Sequence, residues 1–105
     1  MNISEISMEI LSGGQSQKVA IGVASAATAA ITAAQIPTGQ VAIPVVFTPD
    51  VDCFVRRGTN PTAVADGTDQ LVKANNAYRC QMIVNEKLAF ITASGSGNVY
   101  FTPGA

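Results

Sequence analysis

"LAFITASGSGNVYFTPGA", residues 88–105, places two runs rich in β-branched and aromatic residues on either side of four small ones. Such runs favour strands, and the glycines within residues 94–97 supply the positive φ angles of a tight connection. We therefore predict a β-hairpin whose strands cover residues 87–93 and 98–102. Pro103 has no N–H to extend a ladder, so strand pairing is expected to end before it.

Strand-like runs and turn signals alternate along the rest of the sequence. Apolar residues recur with a period of two over residues 17–25, and a looser extended stretch or second strand follows to residue 34. Residues 40–48 and 51–58 form two further predicted strands, and Asn75 marks a turn because asparagine tolerates the left-handed conformation. Short strands at regular intervals predict an all-β fold, either a compact β-sandwich or a jelly-roll-like barrel.

Three local features carry more detailed predictions. Residues 36–39 have Pro second and Gly fourth, as a type I turn prefers. Pro44 cannot donate to a ladder, so the strand that contains it is predicted to lie at a sheet edge or to carry a bulge there. On the strand over residues 51–58, alternation separates one face, Val51, Cys53 and Val55, from the other, Asp52, Phe54 and Arg56.

The chain of 105 residues is predicted to contain one β-sandwich domain, residues 17–105, preceded by an N-terminal arm, residues 1–16. A short helical turn in the arm would separate an apolar side, Ile6, Ile10 and Leu11, from an acidic side, Glu5 and Glu9. A turn and a half of helix is not stable alone, so the arm is expected to dock on its own domain or on a neighbouring subunit, or to be disordered.

The composition limits the possible partners. Charged residues make up 12% of the chain, about half the usual share, so part of the surface is expected to be covered by a partner, a neighbouring copy or a lattice. The net charge of −1 argues against a nucleic-acid partner, which requires a concentrated basic face. Residues 19–36 are too rich in Ala, Thr, Ser and Gly for a membrane span, and no basic signal-peptide region is seen at the start, so synthesis in a cytoplasm is expected.

Catalytic and metal chemistry is not expected. The sequence has no histidine, which removes the commonest general base and metal ligand and any Ser-His-Asp or Cys-His nucleophile. We therefore predict no enzyme activity, no catalytic residue, no metal and no cofactor. Asp50 and Asp52 are too few for calcium and are expected to be solvated strand ends. Cys53 and Cys80 are expected to be small buried apolar residues, although a disulfide formed in an oxidising medium stays open.

The segment "GTNPTAVADGTDQ", residues 58–70, is predicted to be a long polar loop and the natural place for contact with a partner. Its "ADGTD" echoes a calcium loop but lacks the full spacing and the terminal Glu, so an Asp-Gly turn explains it. Arg56 and Arg57 are neighbours on a strand and point to opposite faces, so at most one of them can serve a given site. Each is expected to form an inter-subunit ion pair or to face solvent. The candidate partner-binding residues are Ile6, Ile10 and Leu11 of the arm together with Arg56, Arg57, Asn60, Asp66 and Asp69.

Four ordered motifs in the second half of the chain carry a family resemblance. They are "CFVRRG", "NPTAVADGTDQ", "ANNAYR" and "ITASGSGNVYFTPG". Together they resemble short virion proteins of tailed bacteriophages, described as head decoration, cement or head-fibre proteins, over roughly residues 50–105. The resemblance implies an all-β domain without catalytic residues that binds the major capsid protein at the outer capsid surface and reinforces the lattice. It also implies a symmetric homo-oligomer, a dimer or a trimer.

Two other functions stay open beside this expectation. A fibre or surface module that binds carbohydrate would use Tyr78 or Tyr100 as an exposed stacking platform. A neck or tail component would be present in low copy number as a ring.

Overall fold

A computed structural model describes residues 16–104, which form eight strands and one 3-10 turn at Ala33–Gln35. The candidate residues Ile6, Ile10 and Leu11 lie outside the described residues. The strands are β1 (Gln17–Ile21), β2 (Ala26–Ala27), β3 (Ile43–Pro49), β4 (Cys53–Gly58), β5 (Gln70–Val72), β6 (Tyr78–Met82), β7 (Lys87–Ile91) and β8 (Gly97–Pro103).

The eight strands form two four-stranded antiparallel sheets, which confirms the all-β prediction. Sheet I has the order β1-β8-β3-β6 and sheet II the order β2-β7-β4-β5. Every connection crosses from one sheet to the other except the one from β4 to β5. A two-sheet sandwich with this strand order is a jelly roll, the second of the two predicted forms.

The predicted hairpin at the end of the chain is wrong. β7 pairs with β2 and β4 in sheet II, whereas β8 pairs with β1 and β3 in sheet I. Both strands bury alternate large side chains, Phe90 from β7 and Phe101 from β8, and they do so from opposite sides of one core. A crossing between sheets and a hairpin have the same local signature, two apolar strands joined by small residues.

Pairing also continues through Pro103, contrary to the prediction. Pro103 lies opposite Val45 on β3, and the N–H of Gly104 donates to the carbonyl of Pro44 at 2.9 Å. Alternate residues of an antiparallel strand bond to opposite neighbours, so the nitrogen of Pro103 is turned away from β3 and its missing N–H costs that pairing nothing.

Pro44 lies in an interior strand, so the prediction of an edge strand or a bulge is wrong. β3 runs between β8 and β6, with a continuous register against β6 from Ile43 to Phe47. The carbonyl of Pro44 faces Gly104, the last described residue of the chain, so its nitrogen faces the end of the β8 ladder as well. A proline is tolerated in a central strand where its nitrogen faces the end of the neighbouring strand, because no further N–H is needed for the ladder there.

The first strands are shorter than predicted, and one turn is shifted. β1 ends at Ile21, and the second extended stretch contains a two-residue strand and the 3-10 turn. The N–H of Gln40 donates to the carbonyl of Pro37 at 3.0 Å, and Gly39 has a φ of 83°. The turn therefore spans residues 37–40 with glycine third, and a positive φ at that place excludes type I.

The core lies between the two sheets and follows the alternation of their strands. Cys53 is fully buried, and Val51 and Val55 pack against the buried cluster, which confirms that they share a face. The rings of Phe47 and Phe90 meet edge to face across the sheets at 5.4 Å. This contact joins the middle of sheet I to the middle of sheet II.

Candidate functional site

The loop of residues 59–69 is held by Asp69, one of the predicted partner-binding residues. Its Oδ1 accepts from Nε of Arg56 at 2.7 Å, and its Oδ2 accepts from the N–H of Val64 at 2.8 Å. The Val64 N–H and then the Arg56 guanidinium hold the pKa of this carboxyl below its usual value. Both oxygens of Asp69 therefore bond within the chain, one to β4 and one to the loop, and its side chain is only 7% exposed.

The same loop covers part of sheet II. The N–H of Ala63 donates to Oγ of Ser25, next to β2, at 2.9 Å, while Asp69 is tied to β4. β7 lies between β2 and β4, so the loop crosses over β7. Ala89, which alternation points outward from β7, is accordingly buried. The predicted polar loop is thus a fixed cover with a buried alanine, Ala63, at its centre.

Asp66 forms the predicted Asp-Gly turn. Its Oδ1 accepts from the N–H and the hydroxyl of Thr68 at 3.0 and 2.7 Å, and Gly67 has a φ of 93°. The hydroxyl and then the N–H of Thr68 lower the pKa of Asp66. Asn60 is exposed near the start of the loop. A partner role for Asp66 and Asn60 stays a prediction.

The two arginines point to opposite faces, as expected, and both form bonds within the chain, so an inter-subunit ion pair stays a prediction. Nη1 of Arg57 donates to the carbonyl of Gln81 at 2.8 Å, and its Nε lies 3.8 Å from Oε2 of Glu86. Arg57 therefore links β4 to the edge strand β6 across the two sheets. Beside it an edge cleft of about 300 Å³ opens between the sheets, lined by Arg57, Gln70, Tyr78 and Cys80 among others.

The carboxylates of Asp50 and Asp52 are also engaged in structure. Asp50 Oδ1 accepts from the N–H of Asn98 at 2.8 Å. Asp52 accepts from Nζ of Lys73 and from the N–H of Ala74, both at 2.8 Å, and these two bonds lower its pKa in that order. Each carboxylate therefore closes a connection between strands. Among residues 16–104, no group of three or more Cys, Asp or Glu side chains is arranged to hold a metal ion.

Both cysteines are free thiols in the structure. Cys53 is fully buried as predicted, and burial, followed by the charges of Asp52 and Asp50, raises its pKa to about 11. Cys80 is half-buried at the edge cleft, and burial raises its pKa as well. At neutral pH both side chains are therefore protonated and weakly nucleophilic.

The two tyrosines considered as stacking platforms have different environments. Tyr78 stacks on Phe47 with 5.4 Å between ring centroids, and its hydroxyl accepts from the N–H of Lys73 at 2.7 Å. Its ring is part of the core edge and is not a free platform. Tyr100 is 48% exposed and lies between Lys18 on β1 and Thr48 on β3.

Tyr100 stands on the outer face of sheet I, a broad surface formed by alternate residues of four strands. These residues are Lys18, Ala20, Pro44, Val46, Thr48, Arg79, Gln81, Asn98, Tyr100 and Thr102. Half of them are exposed, on β1, β8 and β6. The face carries two cationic side chains and no acidic one. Among residues 16–104, neither Lys18 nor Arg79 forms an ion pair.

A second surface, which we call the end groove, lies at the end of the sandwich where β3 begins and β6 ends. It is a shallow depression of about 570 Å³ whose apolar walls are Ile36, Pro37, Val41, Ile83 and Val84. Val41 is 83% exposed, Ile83 48% and Val84 39%. Sequence reasoning missed this surface. The available signal was the pair Ile83-Val84, since neighbouring apolar residues after a strand cannot both face one core.

The geometry defines a small jelly-roll domain with one partly covered and one open outer sheet face. Among the described residues, no helix is long and apolar enough to cross a membrane. Comparisons of the chain with protein-family models, with curated proteins and with solved structures find no match.

Proposed function

We propose that this chain is a structural protein of a bacteriophage virion, a decoration or cement protein that binds the outer capsid lattice. The motif resemblance over roughly residues 50–105 supports this role. The jelly-roll fold agrees with it by analogy, because viral capsid domains use the same architecture, although lectins do so too. In this proposal the chain has no catalytic residue and no cofactor, and it acts through buried area.

The outer face of sheet I is the observation that carries the proposal. Its two middle strands, β8 and β3, are each paired on both sides, so the face is stiff. Lys18 and Thr48 flank Tyr100 on the neighbouring strands, and apart from Arg79 the rest of the face carries small, apolar, hydroxyl and amide side chains. Few charges would therefore lose their hydration on binding. Such a surface binds a flat partner at low desolvation cost, and an exposed aromatic ring is a frequent anchor of an interface.

The proposed partner is the major capsid protein, with further copies of the chain completing a symmetric dimer or trimer. Synthesis in the host cytoplasm would precede assembly at the capsid surface. The arm and the residues Arg56, Arg57, Asn60, Asp66 and Asp69 keep their predicted partner roles within this proposal. Because Asp69 and Arg56 bond to each other, their part would be to present the loop in one shape, while Arg57 would keep β4 joined to β6.

The first test is the number of copies of this chain in purified particles, measured by quantitative mass spectrometry against the major capsid protein. A count on the order of hundreds, matching the icosahedral lattice, is expected of a decoration protein. A count of about a dozen or fewer would replace decoration with a neck or tail ring. Absence from particles would refute a virion role.

A matched pair of variants tests the surface. Tyr100→Glu places a charge at the centre of the outer face of sheet I, and Leu71→Glu places one on the edge strand β5 of the other sheet. Both parent residues are 48% exposed, so the two changes should affect stability similarly. Capsid binding, measured by co-sedimentation with undecorated particles, should fall at least tenfold for Tyr100→Glu alone. Equal binding by the two variants would refute this face as the contact.

The exposed ring of Tyr100 also favours one alternative, a carbohydrate-binding adhesion module. Thr48 and Thr102 on neighbouring positions offer hydroxyl groups beside the ring, and sugars bind to such combinations of stacking and hydrogen bonds. Glycan-array binding that is lost in Tyr100→Ala would favour this function. Tyr78→Ala is not a useful probe, because that ring packs on Phe47.

A further inference from the structure

The end groove exposes several large apolar side chains to solvent. Val41, Ile83 and Val84 are among the most exposed large apolar residues of the described chain, and all three line one depression. Exposed apolar residues that occur singly are ordinary, but a contiguous patch in a concave site indicates an occupant.

The start of β1 points toward this groove. β1 and β3 are both antiparallel to β8, so they run in the same direction. Ser16 is level with Thr102 and Val46, and from there the direction of β1 points back to the end of sheet I where β3 begins and β6 stops at Met82.

The distance is short for the length of chain concerned. Gln17 and Phe47 both lie opposite Phe101, and Ile43 is four residues further along β3 toward the groove. With about 3.3 Å per residue and about 4.8 Å between strands, Ile43 is roughly 16 Å from Gln17. Extended chain from Gln17 back to Leu11 covers about 20 Å, so Leu11 and the residues before it can reach the groove.

The chemistry of residues 1–15 complements this end of the molecule. Their only charged side chains are Glu5 and Glu9, whereas all six lysines and arginines of the chain lie after residue 16. Arg79, which forms no ion pair among the described residues, lies on the outer face of sheet I on β6, the strand that leads to the groove. Lys18, also without an ion pair there, lies two residues after Ser16 and farther from the groove. Apolar residues can thus enter the groove while an acidic one approaches Arg79.

We propose that residues 1–15 dock in the end groove of their own chain, with Ile6, Ile10 and Leu11 as the apolar contacts. A tether this short gives the segment a millimolar effective concentration at the groove, which favours the same chain over a second copy in dilute solution. The proposal concerns the isolated chain and does not rest on a virion role.

Methyl NMR spectra of the full chain and of a chain lacking residues 1–14 test the docking. Truncation should shift the methyl resonances of Val41, Ile83 and Val84. The methyl groups of Val23 and Leu71, which are also exposed but lie elsewhere, should keep their positions and serve as internal controls. Unchanged groove resonances would overturn the proposal.

Point variants in the full chain separate specific contact from simple loss of the segment. Ile10→Ser should reproduce the shifts of the truncated chain, whereas Met8→Ser, on the other side of the predicted helical turn, should not. The shifts should be independent of protein concentration. Concentration-dependent shifts with dimers in sedimentation would mean that a second copy fills the groove, which contradicts docking within one chain. None of these spectra involves a capsid, so their outcome is separate from the particle count.

Discussion

Asn75 and Asn85 are the non-glycine residues with positive φ among residues 16–104, at 64° and 73°. Asparagine adopts this conformation more readily than other residues with a Cβ because its side chain bonds locally. We expect Asn75→Ala to lower the free energy of unfolding by about 1 kcal/mol and Asn75→Gly to leave it within a few tenths. The neighbouring Asn76→Ala is the control, since its backbone has no such strain. Chemical denaturation measures all three, and equal effects at positions 75 and 76 would contradict the explanation.

Gly97 is required for space rather than for a positive φ, contrary to the expectation for the glycines of residues 94–97; Gly95, with a φ of 77°, does follow that expectation. A Cβ at Gly97 would lie 2.5 Å from Oδ1 of Asp50 and 2.6 Å from a methyl group of Val51. Gly97→Ala should therefore destabilise the fold by about 1–3 kcal/mol through overpacking.

The matched control for Gly97 is Gly58→Ala, also at the end of a strand. There the nearest heavy atom, on Pro61, is 3.9 Å from the new Cβ. Its effect should stay within about 0.5 kcal/mol. Similar thermal midpoints for the two variants would show that the backbone at Gly97 moves to accept a methyl group.

At the scale of elements, Asp69 makes the 59–69 loop sensitive to acid. Its folded pKa lies below the ordinary value of 3.8, so its contribution to stability is present above that pH and is lost as the pH falls through the folded pKa. The free energy of unfolding of the wild type should therefore drop more between neutral and acidic pH than that of Asp69→Asn. Urea titrations at several pH values measure the difference.

A second variant identifies the partner of Asp69 that matters most. The Val64 N–H is the largest cause of the lowered pKa, and the Arg56 guanidinium, 43% exposed as a side chain, is a lesser one. Arg56→Gln should therefore keep most of the acid sensitivity, and amide exchange at Val64 should rise in Asp69→Asn much more than in Arg56→Gln. The opposite order would make the ion pair the main support of the loop.

The fold as a whole closes by pairing β1 with β8, the first and last strands of the described residues. β8 lies between β1 and β3, so without it β1 would have no neighbour in sheet I. A chain lacking residues 97–105 should therefore fail to fold, as seen by a loss of amide NMR dispersion, while the chain lacking residues 1–14 should keep every described strand. A folded product from the first truncation would contradict the role of β8. The same long-range pairing predicts slow folding, in milliseconds to seconds, because distant segments must meet before they gain contacts.

The candidate sites were only partly predictable. The Asp-Gly turn at Asp66 followed from two adjacent residues, and the exposed ring of Tyr100 was one of two options. The choice between Tyr78 and Tyr100 needed the tertiary structure, because Tyr78 is covered by Phe47 from another strand and bonds to the backbone of Lys73. The end groove joins residues 36–41 to Ile83 and Val84, and no local pattern connects segments so far apart in sequence.

Local sequence patterns were enough to predict the class of fold, most of the strands and the left-handed turn at Asn75, because alternation and turn chemistry act over two to four residues. Long-range packing determines which strands are neighbours, and therefore that residues 88–105 cross between sheets and that Pro44 and Pro103 fit inside paired strands. The physical reason is that a strand with one apolar face satisfies the same local rules whether its successor lies beside it or across the core. Which strands become neighbours is decided by the requirement that all the apolar faces be buried together. This requirement brings β1 and β8, distant in sequence, side by side.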